Sequence, residues 1–272
     1  MSDGSLTVAL IHEVFFGDGA KQRLDEVLNH AREAGADLAL LPELPFDRWV
    51  PATRDVEDGD AETPDGPRHR WLADAARRAG IGVLGGAIVN DAGTRRNRAL
   101  LVDAGGERVA EYDKLHVPLE DGFWERDHYE PGSQLTPPCE AFGLRLGLQI
   151  CSDMQRPQSV TALAAMGAEV IVAPRATPSS GYERWRTVLR AAAVAGACYV
   201  VSINRPRAEN GVPIGSPSLI IAPDGEVLVE TEQTLSVATL DRQAVETARR
   251  DYPGYLDVRA DLYADVWQKL CS

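Results

Sequence analysis

The sequence predicts an α/β fold in which mixed β-sheets carry helices on their outer faces. Three observations support it. Apolar strand-like runs alternate with amphipathic helices early and late in the chain, and hairpin patterns occupy the middle and the end. No linker, low-complexity tract or internal repeat interrupts the 272 residues, a length that layered α/β folds commonly form as one unit. A single domain over 1–272 is therefore expected.

Leu6 to Ile11 reads as the first strand. In Ala20 to Ala34, Leu24, Val27, Leu28 and Ala31 recur at i, i+3, i+4 and i+7, which puts them on one helix face, and Gly35 ends the helix. Asp37 to Leu41 is a buried strand, followed by a Pro/Asp-rich loop to about Gly66. Trp71, Leu72, Ala75, Ala76 and Ala79 then mark a second helix stopped by Gly80. Strands follow at about 82–89, 98–103 and 107–112. Arg145 to Ile150 is a strand, about 157–166 a helix, Glu169 to Ala173 a strand, Tyr182 to Ala197 a long helix and Cys198 to Ile203 a strand. Ser218 to Ala222 and Val227 to Glu230 flank Pro223-Asp224-Gly225, whose glycine supplies the positive φ of a tight hairpin. The tail, about 241–272, carries Tyr255, Leu256, Leu262, Tyr263, Val266 and Trp267, and is expected to pack on something such as a partner subunit.

Composition excludes several function classes. Against 28 Lys and Arg stand 41 Asp and Glu, a net charge of −13, which disfavours nucleic acid or an anionic membrane surface as partner. Four cysteines, at 139, 151, 198 and 271, form no CxxC pair and no zinc-like spacing, so a reducing cytoplasm fits best. The polar start Met1-Ser2-Asp3-Gly4-Ser5 lacks the character of a secretion signal. The longest apolar stretch, Ala191 to Val201, falls short of the roughly 18 residues a membrane span requires.

Three segments each put one ionisable residue just past an apolar strand: Leu40-Leu41-Pro42-Glu43, Tyr112-Asp113-Lys114 and Gln149-Ile150-Cys151. A thiol attacks only as thiolate, with an ordinary pKa near 8.5, so Cys151 needs a base or cation beside it. Glu43 and Lys114 can supply both. Taken singly, a strand-end cysteine is more often a small buried hydrophobe, and a glutamate or lysine is more often solvated. Taken together, their complementary roles point to chemistry: Glu43 as proton acceptor, Cys151 as nucleophile at a planar carbon, Lys114 and the N–H after Cys151 for the oxyanion.

These segments resemble the Pro-Glu, Tyr-x-Lys-x-His and Cys-x-Asp motifs of the nitrilase superfamily of carbon-nitrogen hydrolases, and they stand in the same order. The resemblance continues through Gly167-Ala168-Glu169, Trp185, Arg190-Ala191-Ala192-Ala193, Tyr199 to Asn204, Pro223-Asp224-Gly225-Glu226 and Arg259 to Tyr263. It implies a four-layer αββα sandwich, a homodimer or higher homo-oligomer joined by helices and the C-terminal tail, and no metal or organic cofactor. Carried over, the base is Glu43, the lysine Lys114 and the nucleophile Cys151. Gly122-Phe123-Trp124-Glu125 before Pro131-Gly132 is similar to a further stretch of the carbamoyl-amine hydrolases, which makes Glu125 a partner of Lys114 or of the substrate amide.

The chain also departs from that pattern. Ser152 stands where relatives often have an aromatic residue, which widens the pocket or softens one wall while leaving its N–H for the oxyanion. Asp153-Met154-Gln155-Arg156 lacks the adjacent arginines that hold a substrate carboxylate in some carbamoylases. Arg175 follows the strand Glu169 to Pro174 and falls on the same side of the sheet as Cys151 if the two strands are parallel. There it clamps an acidic group, or is a surface arginine, or pairs with a structural carboxylate such as Glu183. The expected activity is hydrolysis of a small linear amide or N-carbamoyl amine with ammonia release. Alternatives are a nitrilase, a metal-dependent phosphodiesterase of similar layering, and a non-catalytic member of the family.

Overall fold

The computed structural model describes residues 4–270; residues 1–3 and 271–272, with Cys271, lie outside the described part. In chain order the elements are β1 (Ser5–Ile11), α1 (Ala20–Glu33), β2 (Leu38–Leu40), β3 (Ala61–Glu62), α2 (Pro67–Ala79), β4 (Gly82–Asp91), β5 (Thr94–Val102), β6 (Arg108–Asp113), α3 (Glu125–His128) and β7 (Cys139–Ala141). They continue with β8 (Leu144–Leu148), α4 (Pro157–Ala165), β9 (Val170–Val172), α5 (Tyr182–Gly196), β10 (Tyr199–Ser202), β11 (Ser218–Ile221), β12 (Val227–Thr231), β13 (Leu235–Asp241), α6 (Arg242–Arg250) and α7 (Ala260–Leu270).

Among the described residues the strands form two mixed sheets. One has seven strands in the order β13-β1-β2-β4-β5-β6, with β3 beside β4, and the other six in the order β12-β11-β10-β9-β8-β7. Each has a parallel centre, β1, β2 and β4 in the first and β8, β9 and β10 in the second. Antiparallel strands extend both sheets outward.

Side-chain alternation along the strands builds the layers. Val8, Leu10, Leu38 and Leu40 meet Leu146, Leu148, Val170 and Val172 between the sheets. On the outer face of the first sheet, Ala9 and Ile11 cover Leu24 and Leu28 of α1 and Leu72 of α2. In the second, Ile171, Val200 and Leu219 pack on Val160 and Leu163 of α4 and Leu189 of α5. The result is an αββα sandwich. Each fully buried leucine or valine stabilises it by about 1.5–3 kcal/mol.

The expected helices and central strands are present, as is the hairpin β11–β12, whose Gly225 has φ 88. β3, α3, β7, β13, α6 and α7 have no counterpart among the elements expected from the sequence. β7 is a short edge strand, and β13 pairs with all of β1 although only Leu240 of it is fully buried. α6 buries Val245 alone, and the Asp241 carboxylate caps its N-terminus by accepting from Gln243 N at 2.9 Å. An apolar pattern cannot announce elements that bury so little. The tail leaves Tyr252, Tyr255, Tyr263, Trp267 and Leu270 exposed.

Candidate active site

The parallel centres of both sheets deliver their C-terminal ends to one end of the sandwich. Glu43 lies three residues beyond β2, Cys151 three beyond β8 and Arg175 three beyond β9, while Lys114 directly follows β6. Because β4, β5 and β6 alternate in direction, β6 runs the same way as β2. Lys114 therefore emerges beside Glu43.

Cys151 leaves the strand at φ 47 and opens a 3₁₀ turn, Cys151–Gln155. Left-handed backbone is strained for a residue with a Cβ, so the surroundings must hold it. Two contacts do so. Cys151 N donates to Pro174 O at 2.9 Å, which ties the turn to the end of β9. The buried Asp153 carboxylate accepts from Ile150 N at 3.1 Å, Tyr112 Oη at 2.8 Å, and the N–H groups of Leu115 and His116 at 3.2 and 2.8 Å. Asp153 thus joins the Cys151 turn to the segment that carries Lys114.

Glu43 is fixed from behind. Arg205, fully buried, donates from Nη1 to the carbonyls of Glu43 and Leu44 at 2.8 and 2.6 Å, and its charge is matched by Glu209 at 2.7 Å. Lys114 Nζ then donates to Glu43 Oε1 at 2.8 Å and to Glu125 Oε2, with all three side chains wholly shielded from solvent. Asn97 Nδ2 donates to the same Glu43 oxygen at 2.8 Å and to Tyr129 Oη at 3.2 Å, and Tyr129 in turn donates to Glu125 Oε2. One oxygen of each carboxylate, Glu43 Oε2 and Glu125 Oε1, has no hydrogen-bond partner among the described residues. Buried unpaired acceptors are rare and concentrate where chemistry needs them.

The electrostatics follow from burial and from this charge ladder. Burial opposes the Lys114 ammonium, but Glu125 and Glu43 more than offset it and hold its pKa above the usual lysine range. Burial pushes Glu125 up to about 7, with Lys114 opposing the rise. Burial, then Glu43, lifts the Cys151 thiol well above its ordinary range, with Lys114 pulling the other way. Burial thus favours the protonated thiol of Cys151, with the Glu43 carboxylate near it.

A cavity of about 360 Å³ opens over this group, lined by Glu125, Cys151, Ser152, Phe123, Thr177 and Trp185, with Glu120 and Arg184 also bordering it. Cys151 is only 5 % exposed, so the strand-end turn presents its thiol to this cavity and not to open solvent. Ser152 borders the cavity while its hydroxyl donates to His116 O. Arg175 departs from all three sequence expectations. It is fully buried, pairs with no carboxylate among the described residues, and spends its donors on Ser202, Thr177, Ser216 and Pro217 inside the protein, so this placement provides no direct clamp on a substrate acid.

Asn97, Tyr129, Asp153 and Arg205 were not singled out by sequence. Asp153 sits two residues after Cys151, which is a usable signal; Asn97, set among arginines in Arg95-Arg96-Asn97-Arg98, carries none, and neither do Tyr129 and Arg205. Among the described residues no group of three or more His, Cys, Asp or Glu is gathered to hold a metal ion. No helix there is long and apolar enough to cross a membrane.

The family model for carbon-nitrogen hydrolases matches residues 18–250. The chain belongs to the carbon-nitrogen hydrolase family. A hydrolase encoded in the pqqF 5′ region of Pseudomonas protegens is 32 % identical over 91 % of this chain and 86 % of its own. The deaminated glutathione amidase of Mus musculus is 29 % identical over 90 % and 80 %. In fold, the hydrolase is similar to the crystal structure of a carbon-nitrogen hydrolase from Helicobacter pylori G27, with TM-score 0.84 and 20 % identity over 97 % of this chain and 98 % of that one. This carbon-nitrogen hydrolase is thus an enzyme of the amidase and nitrilase superfamily, which answers the phosphodiesterase alternative.

Proposed function

We propose that the hydrolase is a cysteine-dependent amidase that cleaves a small linear amide or N-carbamoyl amine and releases ammonia. The observation that carries this reading is the Lys114 ammonium held between two buried carboxylates, Glu43 and Glu125, each with one oxygen left unpaired, beside the only cysteine that borders the cavity among the described residues.

In this reading the Cys151 sulfur attacks the amide carbon as Glu43 takes the thiol proton, because a thiol raised by burial gains from losing its proton during attack. Lys114 and the Ser152 N–H stabilise the oxyanion. The intermediate collapses with the C–N bond breaking, and Glu43 returns the proton to the departing ammonia, which leaves a thioester on Cys151. Glu43 then takes a proton from a water whose hydroxyl adds to the thioester carbon; the C–S bond breaks, the acid product leaves, and the proton on Glu43 returns to the Cys151 sulfur. Glu125 orients Lys114 and the substrate amide.

The same reading takes residues 1–272 as one hydrolase domain whose tail, from about 241, packs against a second copy. The exposed Tyr263, Trp267 and Leu270 support that, and the free thiols of Cys139, Cys151 and Cys198 support a reducing cytoplasm. Intact-mass analysis after exposure to pooled amides, N-carbamoyl amines and nitriles tests the chemistry. An acyl adduct on Cys151 with ammonia release from amides, both lost in Cys151→Ala, is expected. Turnover of nitriles alone would replace the amidase with a nitrilase, and no adduct with no ammonia from any of them would overturn the enzyme reading.

A further inference from the structure

The strands that end at the site carry one more charged group that this mechanism does not use. Arg175 lies in register beside the nucleophile: Cys151 N bonds Pro174 O at 2.9 Å, and Arg175 itself forms a parallel bridge with Asn204, its N–H donating to Ile203 O at 2.8 Å. Neighbouring strands are about 4.8 Å apart, so Cys151, Arg175 and Asn204 stand in one row across three parallel strand ends.

The guanidinium is wholly buried, and every acceptor it uses is a neutral oxygen. Nε donates to Ser202 Oγ at 3.0 Å, Nη1 to Ser216 Oγ at 3.0 Å and to Thr177 Oγ1, and Nη2 to Pro217 O. The other fully buried arginine, Arg205, forms two hydrogen bonds with Glu209, at 2.9 and 2.7 Å. In a chain with 41 acidic residues, the lack of an acid beside Arg175 is not a shortage of acids. A buried charge without a counter-charge is costly, and it is tolerated where a negative charge develops next to it.

We propose that Arg175 is a positioning residue for the nucleophile, clasping the 174–177 strap against the Cys151 turn and facing the developing thiolate and oxyanion with an unneutralised positive charge. This rests on the cysteine-dependent reading above. The strap meets the site where Ala176 and Thr177, the latter accepting from Arg175, both line the cavity beside Cys151. Trp185, another wall of the cavity, lies with its ring centre 5.9 Å from the guanidinium carbon. Burial draws the Arg175 pKa down to about 10, while Cys151 and Tyr182 favour its charged form. The other titratable groups facing the pair are Glu43, Lys114 and Glu125 on the Cys151 side and His12 on the Arg175 side. Burial and Arg175 hold His12 at about 4, so it is neutral at pH 7.

The test is the pH dependence of Cys151 alkylation by iodoacetamide, read by intact mass on the full chain, with Cys151→Ala identifying signal from the other thiols. Arg175→Gln keeps hydrogen-bond donors and removes the charge. Its alkylation midpoint is expected to rise by about one unit or more, with kcat on an amide falling about tenfold at nearly constant KM. Arg175→Lys, which keeps the charge, is expected to keep the midpoint. A folded Arg175→Gln with the wild-type midpoint overturns the proposal. If Arg175→Gln does not fold, Arg175→Lys decides: a midpoint that moves up as the charge stays overturns it. A wild-type chain that alkylates normally but hydrolyses no amide defeats the amidase reading and leaves the alkylation comparison intact.

Discussion

Asn97 Nδ2 donates to Glu43 Oε1 at 2.8 Å, the same oxygen that Lys114 Nζ takes at 2.8 Å. Two donors on one oxygen fix the carboxylate plane and leave Glu43 Oε2 without a partner among the described residues. Asn97→Leu removes one of them from a buried acceptor. Steady-state kinetics on the best amide should show kcat reduced about 10- to 100-fold with KM little changed, since the loss falls on a proton transfer rather than on binding.

Glu125 gives the hydrolase a pH dependence of opposite sign to that of most carboxylates. Its folded pKa, raised by burial to about 7, exceeds the unfolded value, so the folded state binds more protons between about 4.5 and 7. Stability therefore falls as pH rises through that window and levels off above it. Urea unfolding at pH 5 and pH 7.5 should show a larger drop for wild type than for Glu125→Gln, which has no proton to lose. Equal drops would mean that Glu125 does not titrate there.

Asp153 satisfies the N–H groups of Ile150, Leu115 and His116 together with the Tyr112 hydroxyl. Asp153→Ala leaves these buried donors unpaired, and unfolding should show a loss of about 3 kcal/mol or more. Asp153→Asn should lose less, because its amide oxygen can still accept.

Gly132 is confined by contact, not by φ. A Cβ there would meet Asp113 O at 2.6 Å, and Gly132 N donates to Lys114 O at 2.8 Å. Gly132→Ala must displace the end of β6, and with it Lys114. Thermal stability should drop modestly, by about 1–3 kcal/mol, while kcat falls more steeply than that loss of folded protein explains.

Arg184 is the cation bordering the cavity, and no ion pair holds it among the described residues. If the substrate carries a carboxylate, Arg184→Ala should raise KM about tenfold for the monoamide of a dicarboxylic acid and leave a neutral amide of equal length unchanged. Ser152→Tyr should narrow the same cavity and exclude the longer amides first; an unchanged substrate profile would remove Ser152 from the determinants of pocket shape.

Glu43, Lys114 and Cys151 were legible because each ends an apolar run, and a buried strand followed by an ionisable residue is a local pattern. Glu125 was legible only through its resemblance to a longer motif. Asn97 was not, since it acts on Glu43, 54 residues away in sequence, and Tyr129 was not, since it ties Glu125 to Asn97, 32 residues away. Likewise β13 escaped because its value lies in its backbone pairing with β1 rather than in buried side chains.

The order of strands and helices, the two-faced burial of the central strands and the three strand-end residues were determined by the sequence itself, through apolar periodicity and turn chemistry. Tertiary structure decided which charges meet. It set Lys114 between two carboxylates, gave Arg205 a buried acid, and left Arg175 with none among the described residues. Charge pairing depends on strand order and register across two sheets, and a one-dimensional pattern carries neither.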